Sequence, residues 1–295
     1  LLINISKERI RDEFSRTLLS STPAQALFHM KQLNMLQYVV PDLERSVEVD
    51  QNKSHIYTVF EHLLRSLQHA ADKDLTLELR LAALFHDISK PETRRFDAGA
   101  HDFTFYGHEV VGARVTKKAL QNLRYPKEVV VKVSLLVRWH MFFSDPDQIT
   151  LSAVRRMIAN VGKENIWDLM DLRMCDRIGS GKPKEQPVRL RKYQAMVEQA
   201  LRDPVSVGML AIDGTTLMNE LHMKPGPEIG WILHALLETV LEDPTHNNHE
   251  YLISLAQELL QLEPDELRAR GEQGQTKQEE VEEAEIASIK KKHHI

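Results

Sequence analysis

The sequence predicts an all-α fold, a multi-helix bundle. Apolar residues recur at helical spacing over almost the whole chain. Glycine is sparse, 12 of 295 residues. Strand-like alternation closed by hairpin turns is scarce. The elements follow in order. In "SKERIRDEFSRTLLS" Ser6 is an N-cap, and Ile10, Phe14 and Leu18 share one face. The next helix starts at Ser21 or Thr22 ahead of Pro23 and ends at Pro41. Residues 57–71 form a strongly amphipathic helix with Val59, Leu63 and Leu67 on its apolar side. Residues 75–88 form a more apolar helix that runs into "FHDISKP". Residues 92–105 have no clear period and read as irregular. Four helices follow in "GHEVVGARVTKKALQNLR", "PKEVVVKVSLLVRWHMFF", "LSAVRRMIANVG" and "NIWDLMDLRMCDRIG". Residues 180–189 are a loop rich in Pro and Lys. A helix over Leu190 to Leu201 and a compact helical segment ending near Leu267 complete the folded part. From 269 onward the sequence is polar, six glutamates followed by "KKK", and reads as a frayed helix or disorder. No internal repeat stands out.

Composition narrows the function. A hydrophobic content of 42% and a charged content of 27% are those of an ordinary globular chain. No apolar run spans a bilayer, and no signal peptide opens the sequence, so the expectation is a cytoplasmic protein with no membrane partner. The single cysteine, Cys175, excludes an internal disulfide framework and sits in an apolar helical register. At a net charge of −5, nucleic-acid binding would need local basic patches.

One stretch does not suit a plain core helix. "LAALFHDISKP" places His86, Asp87 and Lys90 within one turn of an apolar segment, just before Pro91. A helix end explains this stretch alone. Four further residues argue for a metal. His62 lies mid-helix beside Leu63, His108 opens the helix of "FYGHEVVGA", His140 sits in the apolar "LLVRWHMFF", and Asp176 lies near a helix end. Each group occupies a separate helix. Imidazoles and carboxylates together suit a borderline divalent ion, Mn, Fe, Co, Ni or Zn, and the ligand types do not choose among them.

With these residues in place, the sequence resembles the HD superfamily of metal-dependent phosphohydrolases. His62, His86, Asp87 and Asp176 match its ligand set, and His108 and His140 match the extra histidines of its two-metal members. "FHDISKP" departs from the usual "HDIGKP" at Ser89, beside the site. The resemblance implies that His62, His86, Asp87 and Asp176 hold one ion. Asp87 would bridge to a second, held by His108 and His140. Two ions about 3.5–4 Å apart polarise a phosphoryl group and deprotonate water. Asp87 and Lys90 are then the candidate catalytic residues. Lys90 could meet a phosphate oxygen; its other reading is a cation on the helix dipole.

The flanks carry a second resemblance. "SKERIRDEFSRTLLSSTPAQALFHMKQLNMLQYVVPDL" is similar to the neck of the class II tRNA nucleotidyltransferase and poly(A) polymerase family. "IDGTTLMNELHMKPGPEIGWILHALLETVLEDPTHNNHEYL" is similar to its body segment, through Gly214, Leu217, Met218, Pro225, Gly226, Pro227, Ile229, Gly230 and Leu233. Neck, HD domain and body in this order are those of bacterial CCA-adding enzymes with an HD domain. The implied organisation is a helical neck at 1–48, an HD domain at 49–185, a helical body at 186–268 and a polar tail at 269–295. The family's catalytic head, with its Gly-Ser motif and Asp-x-Asp pair, has no match here. The expectation is therefore a headless C-terminal portion that hydrolyses a phosphoester and binds tRNA. Expected RNA contacts are Arg177, Lys182, Lys184, Arg189, Arg191 and Lys192, a run containing one acid, Glu185, together with Gly226 and Gly230 at a helix start. Trp231 reads as core. Two other readings stay open: a free-standing HD phosphohydrolase acting on nucleotides or a cyclic nucleotide, and an RNA-binding module with a structural metal.

Overall fold

A computed structural model describes residues 5–51, 56–142, 148–202 and 206–294. The chain forms two compact units, Leu1–Val197 and Glu198–Ile295. In the first, α1 (Lys7–Leu18) starts at Ser6, whose hydroxyl accepts from the Arg9 N–H, and buries Ile10, Phe14 and Leu18. α2 (Pro23–Gln32) has proline in its first turn. It stops well short of Pro41, because Asn34 takes a left-handed φ of 54°. Two single turns follow, α3 (Leu36–Val39) and α4 (Pro41–Glu44).

A capping box between Thr58 and Glu61 starts α5 (Val59–Asp72). Thr76 caps α6 (Leu77–Phe85), whose residues from Leu79 onward are all buried. The short α7 (Lys90–Thr93) leads into the segment expected to be irregular. That segment contains a two-stranded antiparallel hairpin, β1 (Arg95–Asp97) and β2 (Asp102–Thr104), with Phe96 opposite Phe103. Strands of three residues are too short for alternation to be visible in sequence. Then come α8 (His108–Asn122), α9 (Lys127–Trp139), α10 (Leu151–Val161), α11 (Ile166–Gly179) and α12 (Val188–Leu201).

α5 packs against α6 and α11, and α9 against α6 and α8. Leu63, Leu67, Leu81, Leu84, Phe85 and Leu136 are completely buried where these helices meet. Each such side chain contributes about 1.5–3 kcal/mol. α1 and α2 fill the same core, against α6 and α5. Arg80, only 3% exposed, donates to the carbonyls of Leu18 and Ser20 at 2.9 and 3.1 Å and so fastens the end of α1 to α6. The expected segments 1–48 and 49–185 thus share one compact unit, since the apolar faces of α1 and α2 close the core of the next helices.

The second unit contains α13 (Gly214–Glu220), α14 (Pro227–Glu242), α15 (His249–Leu259) and α16 (Pro264–Lys292). Its core gathers Ile212, Leu217, Ile232, Leu236, Leu237 and Leu252, with Trp231 packed at the edge. The frayed or disordered tail expected from 269 is instead part of α16, which packs on α14. Among its described residues the buried positions are Leu267, Gly271, Gly274 and Ile289. Two are glycines, so hydropathy does not reveal the stripe. Among the described residues no helix is long and apolar enough to cross a membrane.

Candidate metal centre

The ligand candidates sit mostly at helix ends. His62 is the fourth residue of α5, nearer its start than the middle position read from the sequence, His86 and Asp87 follow the last residue of α6, His108 begins α8, His140 follows α9, and Asp176 is in the last turn of α11. His62, His86 and Asp87 group together, as do Asp87, His108 and His140. His62 Nε2 lies 2.8 Å from His86 Nε2 and 3.1 Å from Asp87 Oδ2. Asp176 Oδ1 is 3.5 Å from His62 Nε2 and 3.7 Å from His86 Nε2. The other oxygen of Asp87, Oδ1, is 3.1 Å from His108 Nε2 and 3.5 Å from His140 Nε2, and those two nitrogens are 3.3 Å apart. Each carboxylate oxygen of Asp87 therefore faces its own pair of imidazoles.

These distances suit a cation. Ligand bonds of about 2.0–2.2 Å place neighbouring ligand atoms roughly 3–3.6 Å apart. The histidine tautomers agree. The Nδ1–H groups of His86, His108 and His140 donate to the carbonyls of Ala83, Phe105 and Val137 at 2.9, 2.7 and 2.7 Å. Each carbonyl lies three residues upstream and leaves the Nε2 lone pair turned into the cluster. Asp87 Oδ1 is buried and accepts no hydrogen bond. Lone pairs would face lone pairs here without a positive charge between them.

With only protons to supply that charge, His86 is the group that holds one. Burial is the largest influence on His86 and opposes its charged form. The negative charge of Asp87 and the hydrogen bonds of Asp176 and Asp87 outweigh it and push the ring up to about 10. Burial also opposes ionisation of Asp87, yet the charges of Lys90 and His86 hold its carboxyl well below the usual range. Asp176 is likewise held low, against burial, by its hydrogen bond with His86 and the charge of Arg173. Burial, with the neighbouring charges of His86 and His108, keeps His140 below its ordinary value. A divalent ion bound there competes with a proton.

Lys90 is only 6% exposed. Its ammonium lies 2.6 Å from Asp87 Oδ2 and donates to Gln51 Oε1 at 2.6 Å. The candidate catalytic lysine is thus first a partner of Asp87, with one of its three N–H donors left over. Ser89 takes φ −96°, which any residue adopts, so the departure from glycine costs no strain. Sequence reasoning missed Arg173, which donates to Asp176 Oδ2 at 2.6 Å; its i−3 spacing on one helix was the available signal. It also missed Gln51, for which the sequence has no signal, and Gly179. A Cβ at Gly179 would run into Ser66 and lie 2.9 Å from the His62 carbonyl. The absence of that Cβ lets α11 cross α5 where Asp176 meets His62.

The cluster opens into a cleft of about 570 Å³, lined by Asp87, Lys90, His108, His140, Asp176, Arg173, Arg177 and Lys182, with Phe103, Phe105, Tyr106 and Met141 among the apolar lining. The residues expected to bind RNA are divided. Arg177 and Lys182 line this cleft. Lys184 is exposed in the following loop; Arg189 is exposed and Arg191 and Lys192 half-buried on α12. Gly226 caps α14 with an extended backbone, and the Glu228 carboxylate occupies the space beside it, so this helix start already holds an anionic group. Gly230 has open space around it.

Comparisons with known families place this architecture. Residues 59–167 match the HD domain, residues 1–46 the family described as "Probable RNA and SrmB- binding site of polymerase A", and residues 114–256 tRNA nucleotidyltransferase domain 2. Over 240 residues, 80% of this chain and 53% of the relative, the sequence is 36% identical to the CC-adding tRNA nucleotidyltransferase of Thermus thermophilus. Along most of its length the sequence is thus similar to the tRNA nucleotidyltransferase and poly(A) polymerase family, with an HD domain in its middle. A second relative of this family, the A-adding tRNA nucleotidyltransferase of Deinococcus radiodurans, is 30% identical over 78% of this chain and 54% of its own length. The multifunctional CCA protein of Neisseria meningitidis serogroup A is 28% identical over 51% of the chain and 36% of its own length. The chain spans about half the length of the first two relatives, 53% and 54%.

Proposed function

We propose that this chain is the part of a tRNA nucleotidyltransferase that carries a metal-dependent HD phosphohydrolase site and a surface that holds tRNA. The observation behind the hydrolase reading is Asp87 itself, a buried carboxylate with each oxygen turned to a separate pair of histidine Nε2 atoms. Divalent ions bound at such a site, whether Mn, Fe, Co, Ni or Zn, polarise a phosphoryl group and lower the pKa of water. His62, His86, Asp87 and Asp176 would hold one, and Asp87, His108 and His140 a second. The chain's own residues do the rest. Carbonyl acceptors fix the ring tautomers of His86, His108 and His140. Arg173 orients Asp176. Lys90 keeps Asp87 ionised and lines the cleft, where its remaining N–H donor would meet a phosphate oxygen. The tRNA reading is supported by the match of residues 1–46 to an RNA-binding region and by the names of the relatives.

The test is turnover of p-nitrophenyl phosphate and bis-p-nitrophenyl phosphate by chelated protein, before and after re-addition of each of the five ions, with metal content measured in parallel. Turnover that returns only with a divalent ion is the expected result. Metal bound at the cluster without hydrolysis of either ester under any ion would overturn the hydrolase reading in favour of a structural metal.

A further inference from the structure

The cleft contains two cations that the metal cluster does not use. α11 ends in a turn in which the N–H groups of Ser180, Gly181 and Lys182 return to the carbonyls of Asp176, Ile178 and Arg177. This is a Schellman ending, and Gly181 takes the left-handed φ of +78° that it requires. The turn folds Lys182 back beside Arg177, and both line the same cleft as Asp87, His108 and His140.

Their charges are not spent within the protein. Arg173, one turn earlier, is committed to Asp176. Arg177 gives its Nε–H to the Lys184 carbonyl at 3.0 Å, and among the described residues neither it nor Lys182 has a carboxylate partner. Glu185, the acid of the following loop, pairs instead with Lys73 at 2.8 Å and His69 at 3.0 Å. The cleft wall therefore holds Arg173 and Arg177 at i, i+4, a like-charge spacing that destabilises a helix. An anion in the cleft would offset this. Tyr106 also lines the cleft and is 86% exposed. An aromatic ring left in water beside phosphate-binding groups offers a face on which a base can stack.

We propose that Arg177 and Lys182 form an anion subsite for the phosphate adjacent to the one held at the His-Asp cluster, so that the cleft takes the phosphorylated end of an RNA strand with its terminal base on Tyr106. This rests on the reading of the cleft as a phosphoester site. A mononucleotide with one phosphate fills only the cluster. A strand end supplies the second phosphate one nucleotide away.

The test is calorimetric binding to the metal-loaded protein. Three ligands, each ending in a 3′-thiophosphate to slow turnover, are compared: an adenylyl dinucleotide, adenosine with that group alone, and adenosine carrying a 5′-phosphate as well. The dinucleotide should bind about 5–30-fold tighter than the one-phosphate ligand, the range of one charge-assisted contact to a partly exposed cation. The Arg177→Gln/Lys182→Gln variant should reduce that advantage to within about two-fold. Tyr106→Ala should weaken the dinucleotide by about five-fold or more. Equal affinities for the dinucleotide and the one-phosphate ligand in the wild type, or an advantage that survives the double substitution with metal content intact, would overturn the subsite. A two-phosphate nucleoside that matches the dinucleotide and ignores Tyr106→Ala would overturn the strand-end assignment. Binding is read without turnover, so a protein that binds as expected but hydrolyses nothing overturns the proposed activity and leaves the subsite standing.

Discussion

A carboxylate as buried as Asp87, 3% exposed, needs positive charge on every side, and the protein supplies it from Lys90. This makes the residue's two roles separable. Asp87→Asn should abolish hydrolysis and release metal from both histidine pairs. It also strands the Lys90 ammonium beside Gln51, at a cost of about 3–5 kcal/mol. Adding Lys90→Met should recover most of that stability in denaturant melts and none of the turnover. Activity that returns with stability would refute the ligand role. Asp171 offers a second test away from the cluster. Burial, with Asp168 beside it and Lys73 opposing, raises its carboxyl from 3.8 to about 6. A folded-state pKa above the unfolded one means that its contribution is fully present below about pH 3.8 and lost as pH rises through about 6. At pH 8 the ionised group is therefore a burden, discounted for its half-exposed position to roughly 1 kcal/mol. Asp171→Asn should raise the melting temperature at pH 8 and leave it unaltered near pH 3.5; equal melting temperatures at pH 8 would refute this.

At the scale of elements, the site depends on two helices coming unusually close. Gly179 lies where α11 crosses α5, with Ser66 and the His62 carbonyl in the space a Cβ would fill. Gly179→Val should push α11 away, separate Asp176 from His62 and lower metal content, at about 1–3 kcal/mol of stability. Gly274 plays the same structural part in the second unit, where a Cβ would meet the His234 carbonyl of α14. Gly274→Val should cost as much in stability but leave metal content at the wild-type level. Metal loss in both variants, or in neither, would contradict this division. The histidines were legible in the sequence because imidazoles in apolar helical registers are conspicuous, and their order over separate helices resembled a known pattern. The two glycine contacts were not, since a missing side chain leaves no periodic signal. The hairpin of β1 and β2 was lost for its brevity. α16 was lost because its polar composition masks a face built on Leu267, Gly271 and Gly274.

Over the whole molecule, the fold separates charges that the sequence presents as one basic run. A net charge of −5 leaves no general attraction for RNA, so any tRNA binding must come from local sets. Arg177 and Lys182 turn into the cleft. Arg189, Arg191 and Lys192 are on α12 instead. The first pair lines the cleft, whereas on α12 Arg189 and Lys192 share one face at i, i+3 and Arg191 lies on the opposite side. Contacts of the second kind release counterions, with a log–log salt slope of about −0.7 to −0.9 per phosphate neutralised. With two such cations on one face the slope contributed by α12 should be roughly −1.4 to −1.8. Reversing all three charges, Arg189→Glu, Arg191→Glu and Lys192→Glu, should weaken tRNA binding and flatten the slope by about that amount. Base changes within the tRNA stem should matter little, since A-form RNA is recognised mainly by shape and backbone. Anisotropy titrations over a salt series, with wild type and the triple variant on the same tRNA, make the comparison. Parallel slopes at equal affinity would remove tRNA from α12 and leave the segment 1–46 and the cleft as candidate contacts with RNA in the first unit.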